Sequence, residues 1–267
     1  MTYQAGPAGG HDGIGRSHGA SGDRGRRGER TQRGELAHDR LDRHARLARG
    51  GRDGHDASGT PQFDTGTTVV GLTTDDAVVL AADRRMSLGG RFTANKSVQK
   101  VEQVHPTAAM GISGSVGPAQ DLLQSLRAEA SLYESRRGEP MSVSALAETA
   151  GALVRGLPVT PLLGGVEPAP ASEGPARARV YSLDGGGSVL EDDYTATGSG
   201  LQVAYGVLER RYDRDASVQG ATEAALAAVD AASERDTASG NGVTVTTITA
   251  GGVETVAHDD TADVEVA

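Results

Sequence analysis

At Gly66 the sequence changes character, and that break decides which part of the chain can fold. Before it lie runs such as Gly-Asp-Arg-Gly-Arg-Arg-Gly-Glu-Arg over 22–30 and Arg-Gly-Gly-Arg-Asp-Gly-His-Asp over 49–56. Such runs cannot bury enough apolar surface to offset the entropy lost on ordering. After it, short apolar strands and amphipathic helices follow one another to the end of the chain. The composition predicts a disordered leader over 1–66, one domain over 67–257 and an acidic flexible tail over 258–267.

Within the domain the period of the apolar positions assigns the elements. Strands are expected at Thr67–Thr74 and Ala77–Asp83 around Asp75-Asp76, then at Ser97–Val104 and Thr107–Ile112. A small-residue turn over 113–118 opens a helix with Leu122, Leu126, Ala130 and Tyr133 on one face. A second helix aligns Val143, Leu146, Ala147, Ala150 and Val154. Strands follow at Val159–Val166 and Ala178–Leu183, with a Pro- and Ala-rich loop from Glu167 to Arg177. Another strand runs from Ser188 to Tyr194 after the turn at 184–187. Two more helices align Leu201, Tyr205 and Leu208, and then Val218, Ala221, Ala225, Val229 and Ala232. Strands at Val243–Thr249 and Val253–Ala257 close the domain. Helices in pairs and strands in hairpins fit an α+β architecture, a four-layer αββα sandwich of two antiparallel sheets flanked by helix pairs. Parallel winding fits poorly, because it needs single helices between strands.

Charge and composition narrow the function. Residues 1–66 carry 11 Arg and 9 acidic residues; the remainder carries 15 basic and 27 acidic residues. An acidic domain disfavours nucleic acid as a partner. The Arg-Gly content of the leader suggests RNA binding, but interspersed acids make a solvated leader the better reading. Five of the seven histidines lie in the leader at spacings that fit no metal motif. The chain has no cysteine, which excludes disulfides and thiol chemistry. No apolar run reaches the length of a membrane span, and no secretory segment follows Met1, so the expected location is the cytoplasm.

The residues at the break carry a chemical possibility. A peptide cut between Gly66 and Thr67 would leave Thr67 with its hydroxyl as nucleophile and its own amine as base. A free α-amine has a reference pKa of about 7.7–8.0, which suits a general base near neutral pH. Gly66 lacks a Cβ and tolerates the strained backbone that attack on its carbonyl would need. The plain alternative is that Thr67-Thr68-Val69-Val70 is simply a strand. Lysine occurs only at Lys96 and Lys100, all other basic residues being Arg.

Six segments in order resemble the proteolytic β-subunits of the archaeal (haloarchaeal-like) 20S proteasome, in the N-terminal-nucleophile (Ntn) hydrolase superfamily. They are the run from Gly66 to Thr73, Ala81-Ala82-Asp83-Arg84-Arg85, the run from Asn95 to Val101, the run from Gly111 to Gly117, Thr197-Gly198-Ser199-Gly200, and the run from Glu234 to Gly240. The resemblance extends from Gly66 to about Ala257. It implies the Ntn fold and threonine endopeptidase activity after self-cleavage between Gly66 and Thr67, with no metal or organic cofactor. It implies that Lys100 sits near Thr67 as an ammonium, that Asp83 pairs with it, and that the Gly114 N–H receives an oxyanion. Ser199, Asp236 and Ser239 would support the Thr67 amine. Met86, Val98, Ile112 and Val116 would wall the substrate pocket, and mostly apolar walls imply cleavage after hydrophobic residues. Taken alone, Ser199 is also a helix cap, Asp236 and Ser239 loop-closing residues, and Ile112 and Val116 core.

The resemblance also implies partners: identical β-subunits in heptameric rings, capping α-subunits, an ATPase feeding through the α-rings, and polypeptide substrates, with neither nucleic acid nor membrane. Three rival readings remain at this point. A bacterial-type two-component ATP-dependent threonine peptidase lacks the paired loops at 197–200 and 235–240. A non-catalytic ring subunit would have lost Thr67 or Lys100. A stand-alone amidohydrolase would be active as a monomer.

Overall fold

The computed structural model describes residues 64–167 and 176–264. The expected leader up to residue 63 and the loop residues 168–175 lie outside that range. The strands are β1 (Asp64–Thr65), β2 (Thr68–Thr73), β3 (Ala77–Asp83), β4 (Met86–Leu88), β5 (Phe92–Asn95), β6 (Val101–His105), β7 (Ala108–Ser115), β8 (Val159–Glu167), β9 (Arg177–Leu183), β10 (Val189–Asp192), β11 (Tyr194–Gly198), β12 (Val243–Thr249) and β13 (Gly252–His258). The helices are α1 (Val116–Arg137), α2 (Val143–Leu153), α3 (Leu201–Arg211) and α4 (Val218–Arg235). One sheet runs β11-β2-β3-β12-β13; the other runs β1-β7-β8-β9-β10, with β6 on the same edge of β7 as β1. All pairings are antiparallel.

The alternation of side chains along β2 and β3 produces the layers. Val69, Val78, Leu80 and Ala82 meet Val101, Ala109, Leu162 and Val180 of the other sheet. Their neighbours Val70, Leu72, Val79 and Ala81 cluster with Ala204, Leu208, Ala225 and Val229 of α3 and α4. On the far side Ala108, Met110 and Leu163 cluster with Leu122, Leu126, Leu146 and Ala150 of α1 and α2. Three apolar interfaces make four layers, the αββα sandwich expected of the pattern. Both faces of the central strands are covered, so β2 and β3 are buried throughout. They therefore read as continuous apolar runs although the sheets are antiparallel. Capping fixes two of the helix starts: Ser142 accepts from the Ala145 N–H at 3.2 Å and Ser217 from the Gly220 N–H at 3.2 Å. Among the described residues no helix is long and apolar enough to cross a membrane.

Several boundaries differ from the sequence reading. The first strand spans 68–73 rather than 67–74, leaving Thr67 outside the ladder. The third begins at Val101, not Ser97. The fourth runs on to Ser115, so residues 113–115 are strand and α1 starts directly at Val116 without the expected turn. The strand expected over Ser188–Tyr194 breaks at Asp193. Its first part stays beside β9 and Tyr194 starts a new strand beside β2. Asp193 is pinned at the crossing, because its carbonyl accepts from both the Thr73 N–H and the Thr73 hydroxyl at 2.9 Å. The hairpin of β4 and β5 was not expected; its strands are only three and four residues long, Met-Ser-Leu and Phe-Thr-Ala-Asn. Near the end, Asp259 pairs with Arg84 at 2.6 Å and residues Thr261–Asp263 form one 3-10 turn.

Candidate active site

Thr67 lies immediately before β2, and its surroundings come from four separate stretches. Asp83, the last residue of β3, is fully buried and is the hub. One carboxylate oxygen accepts from the Thr68 N–H at 2.9 Å and from the Lys100 ammonium at 2.6 Å. The other accepts from the Gly240 N–H at 2.9 Å and the Arg85 N–H at 3.1 Å. One side chain thus ties the start of β2, the residue before β6 and the loop after α4. Burial pushes the Lys100 ammonium below the ordinary lysine range, and the attraction of Asp83 offsets that only in part. Burial likewise raises the Asp83 carboxyl against the pull of Lys100 and its N–H donors. Both shifts have one cause: desolvation of a buried pair outweighs its mutual attraction.

A second set of bonds surrounds the Thr67 nitrogen. The Thr67 N–H donates to Ser199 Oγ at 3.2 Å. Ser199 has one hydroxyl proton, and the Asp236 carboxylate at 2.5 Å takes it. Ser239, fully buried, also donates to the same Asp236 oxygen at 2.7 Å. The Thr68 hydroxyl, 2.8 Å from Ser239 Oγ, must then be the donor there. The chain of bonds runs from both sides into one carboxylate, which orients Ser199 with a lone pair toward Thr67. The loop closes this tightly because Gly198 has φ +95° and no side chain; a Cβ there would lie 2.0 Å from the Thr67 carbonyl oxygen.

A cavity of about 410 Å³ opens beside Thr67. Lys100 and Gly114 line it with Thr67, as do all four expected pocket residues, Met86, Val98, Ile112 and Val116. Ile112 is also part of the apolar core, whereas Val116 is 36 % exposed. Gly66 lines an adjoining cavity with Gly114, Ser199 and Asp236. All the expected site residues therefore converge around the Gly66–Thr67 bond. The structure adds a steric reason for glycine at 66, where φ is not positive: a Cβ would lie 1.8 Å from the Ala238 Cβ.

Just upstream, β1 pairs with the end of β7, Asp64 opposite Ser115 and Thr65 opposite Gly114. Asp64 and Thr65 thus form a short strand beside Gly114, which lines the cavity. The sequence reading missed two contributors, Ser87 and Thr68, and left Arg85 out of the site. Ser87, in the unexpected hairpin, is buried and accepts from the Gly66 N–H at 3.3 Å. Thr68 extends the network to Ser239. Arg85 holds the 236–241 loop through the Thr237 carbonyl at 3.0 Å and the Asn241 side chain at 2.9 Å.

Comparison with known proteins gives the arrangement a lineage. The family model described as "Proteasome subunit" matches residues 63–248. The chain is 58 % identical over 199 residues to a proteasome subunit beta of Halomicrobium mukohataei, covering 73 % of this chain and 81 % of that protein. It is 56 % identical to a proteasome subunit beta of Halorhabdus utahensis, covering 74 % and 83 %. It is 57 % identical to a proteasome subunit beta 2 of Haloarcula marismortui, covering 73 % and 84 %. The match takes in the buried Asp83–Lys100 pair, the Ser199–Asp236–Ser239 network and the strand that carries Gly114, and by it this chain belongs to the proteasome subunit family, among the β-subunits.

Proposed function

We propose that the chain is a threonine-type endopeptidase that activates itself by cutting the bond between Gly66 and Thr67. One observation carries the reading: Thr67 shares a cavity with Lys100, which is paired with buried Asp83, and its nitrogen rests on the Ser199–Asp236 network. In the first step the Thr67 hydroxyl oxygen attacks the Gly66 carbonyl carbon. The C–N bond breaks as the hydroxyl proton passes to the departing nitrogen, the amine of Thr67 is freed, and the leader is left as an ester on Oγ. Water hydrolyses that ester and releases the leader with a carboxylate at Gly66.

The mature terminus then acts on polypeptides. The free amine takes the hydroxyl proton as Oγ attacks a substrate carbonyl, a step in which a positioned base contributes about 10²–10⁴-fold. Because amine and hydroxyl belong to one residue, their proximity costs no further ordering. The positive charge of Lys100 favours the deprotonated forms of both. The Gly114 N–H receives the oxyanion; loss of one such donor typically costs about 10²–10³ in rate. The proton passes to the leaving amine, and water then resolves the ester. Ser199, Asp236 and Ser239 orient the amine and hold that water.

We place the subunit in β-rings of identical copies, stacked, capped by α-subunit rings and fed by an ATPase, in the cytoplasm. Enclosure keeps the nucleophile from folded proteins, and the leader keeps it blocked until assembly. Thr67→Ala, co-produced with a proteasome α-subunit, tests the reading. It is expected to assemble, to keep its leader, and to lose hydrolysis of aminocoumarin tripeptides. A variant that still processes itself or still hydrolyses them would overturn the assignment of the nucleophile.

A further inference from the structure

The cavity beside Thr67 is not uniformly apolar. Its far end carries an ion pair, Glu102 from β6 and Arg127 from α1, with a nitrogen–oxygen distance of 3.1 Å. Backbone period places both groups there. Lys100, just before β6, and Glu102, its second residue, are two positions apart, and both line the cavity. Val116, Ala119, Gln120, Leu123, Gln124 and Arg127 follow helical spacing and form one stripe of α1 along the cavity. By the rise per residue, that stripe extends about 16 Å from the Gly114 end to Arg127.

Arg127 does not swing freely. Its guanidinium also donates twice to the Gln103 carbonyl, at 2.8 Å and 2.6 Å. The cation is therefore anchored to the backbone of β6, and Glu102 is held against it. Lys100, the remaining charged residue of the lining, is already paired with Asp83.

We propose that the Glu102–Arg127 pair sets the charge selectivity of this cavity for the side chain on the amino side of the cut bond. Paired, the two charges cancel, and a slot otherwise walled by apolar side chains and the uncharged amides of Gln99, Gln120 and Gln124 favours uncharged side chains. A charged side chain entering it would have to compete with an ion pair already made. Removing either partner leaves the other facing the slot uncompensated, and selectivity then shifts toward the opposite charge. This rests on the peptidase reading and names the substrate class that the same site takes.

The test uses the assembled particle and three acyl-tripeptide aminocoumarins that differ only in the residue before the cut bond, Tyr, Glu or Arg. Glu102→Gln is expected to raise the Glu-to-Tyr ratio of kcat/KM at least tenfold. Arg127→Gln is expected to raise the Arg-to-Tyr ratio at least tenfold. The double variant returns both ratios to near the parent values, as a pairwise coupling requires. Should Arg127→Gln fail to assemble through loss of its bonds to Gln103, Glu102→Gln alone decides. Ratios that stay put, or move the same way in both variants, while the Tyr peptide is still cleaved, would overturn the inference alone. A parent particle that cleaves none of the three would overturn the peptidase reading and this inference with it.

Discussion

Gly66→Ala separates a steric requirement at the cut bond from general loss of fold. The added Cβ would lie 1.8 Å from the Ala238 Cβ and 2.9 Å from Ser199 Oγ. Carbon atoms pack at about 3.5–4.0 Å, so the backbone at 66 must retreat by more than about 1.5 Å. The loop opposite yields little, because the Ala238 N–H is tied to Asp236 at 3.2 Å and the Thr237 carbonyl to Arg85 at 3.0 Å. A misplacement of about 1 Å in an attack geometry costs about 10²-fold in rate, which is about 2.7 kcal/mol of barrier. Self-cleavage of Gly66→Ala is therefore expected to slow at least 100-fold. The assay is intact mass against time after the precursor is mixed with α-subunit, the mature species being the chain cut at Thr67. Adding Ala238→Gly removes the 1.8 Å contact and is expected to recover part of the rate. Self-cleavage of Gly66→Ala at the parent rate would refute the steric argument.

Asp83→Ala leaves the buried Lys100 ammonium and three N–H groups without their acceptor. Breaking a buried pair in this way costs about 3–5 kcal/mol. At about 2–4 °C per kcal/mol for a domain of this size, thermal unfolding of the precursor should fall by at least 6 °C; an unchanged midpoint would remove Asp83 from its role as hub. The pH profile of kcat/KM should have two limbs. Activity rises with pH as the mature amine loses its proton, near or below its reference value of about 7.7–8.0 because Lys100 is close. It falls at higher pH as Lys100 loses its charge, and burial brings that fall below the ordinary lysine value of 10.5. In Lys100→Arg the residual activity should show no such alkaline fall, since a guanidinium keeps its proton; the same fall in the variant would clear Lys100 of it.

The layers were legible because the periods were clean. Leu122, Leu126 and Ala130, or Ala221, Ala225, Val229 and Ala232, repeat at helical spacing and are buried as that spacing demands. Less legible was anything set by contacts distant in sequence. Nothing local marks Asp193 as the point where the chain changes sheets; its partner Thr73 is 120 residues away. The β4–β5 hairpin has strands of only three and four residues, so Ser87 went unnoticed although it touches Gly66. The candidate site was read through motif order rather than local chemistry. Asp83, Lys100, Ser199, Asp236 and Ser239 are ordinary strand, cap and loop residues until the fold brings them together. The polar end of the cavity was hidden for a related reason: Glu102 and Arg127 lie on different elements 25 residues apart.

A chain that cuts itself and then uses the new terminus must lose everything before Thr67. Intact mass of the chain purified from an actively hydrolysing particle measures this directly. The account predicts a single species that begins at Thr67 with a free amine. An active particle whose chain still begins at Met1, or begins at any residue other than Thr67, would contradict it.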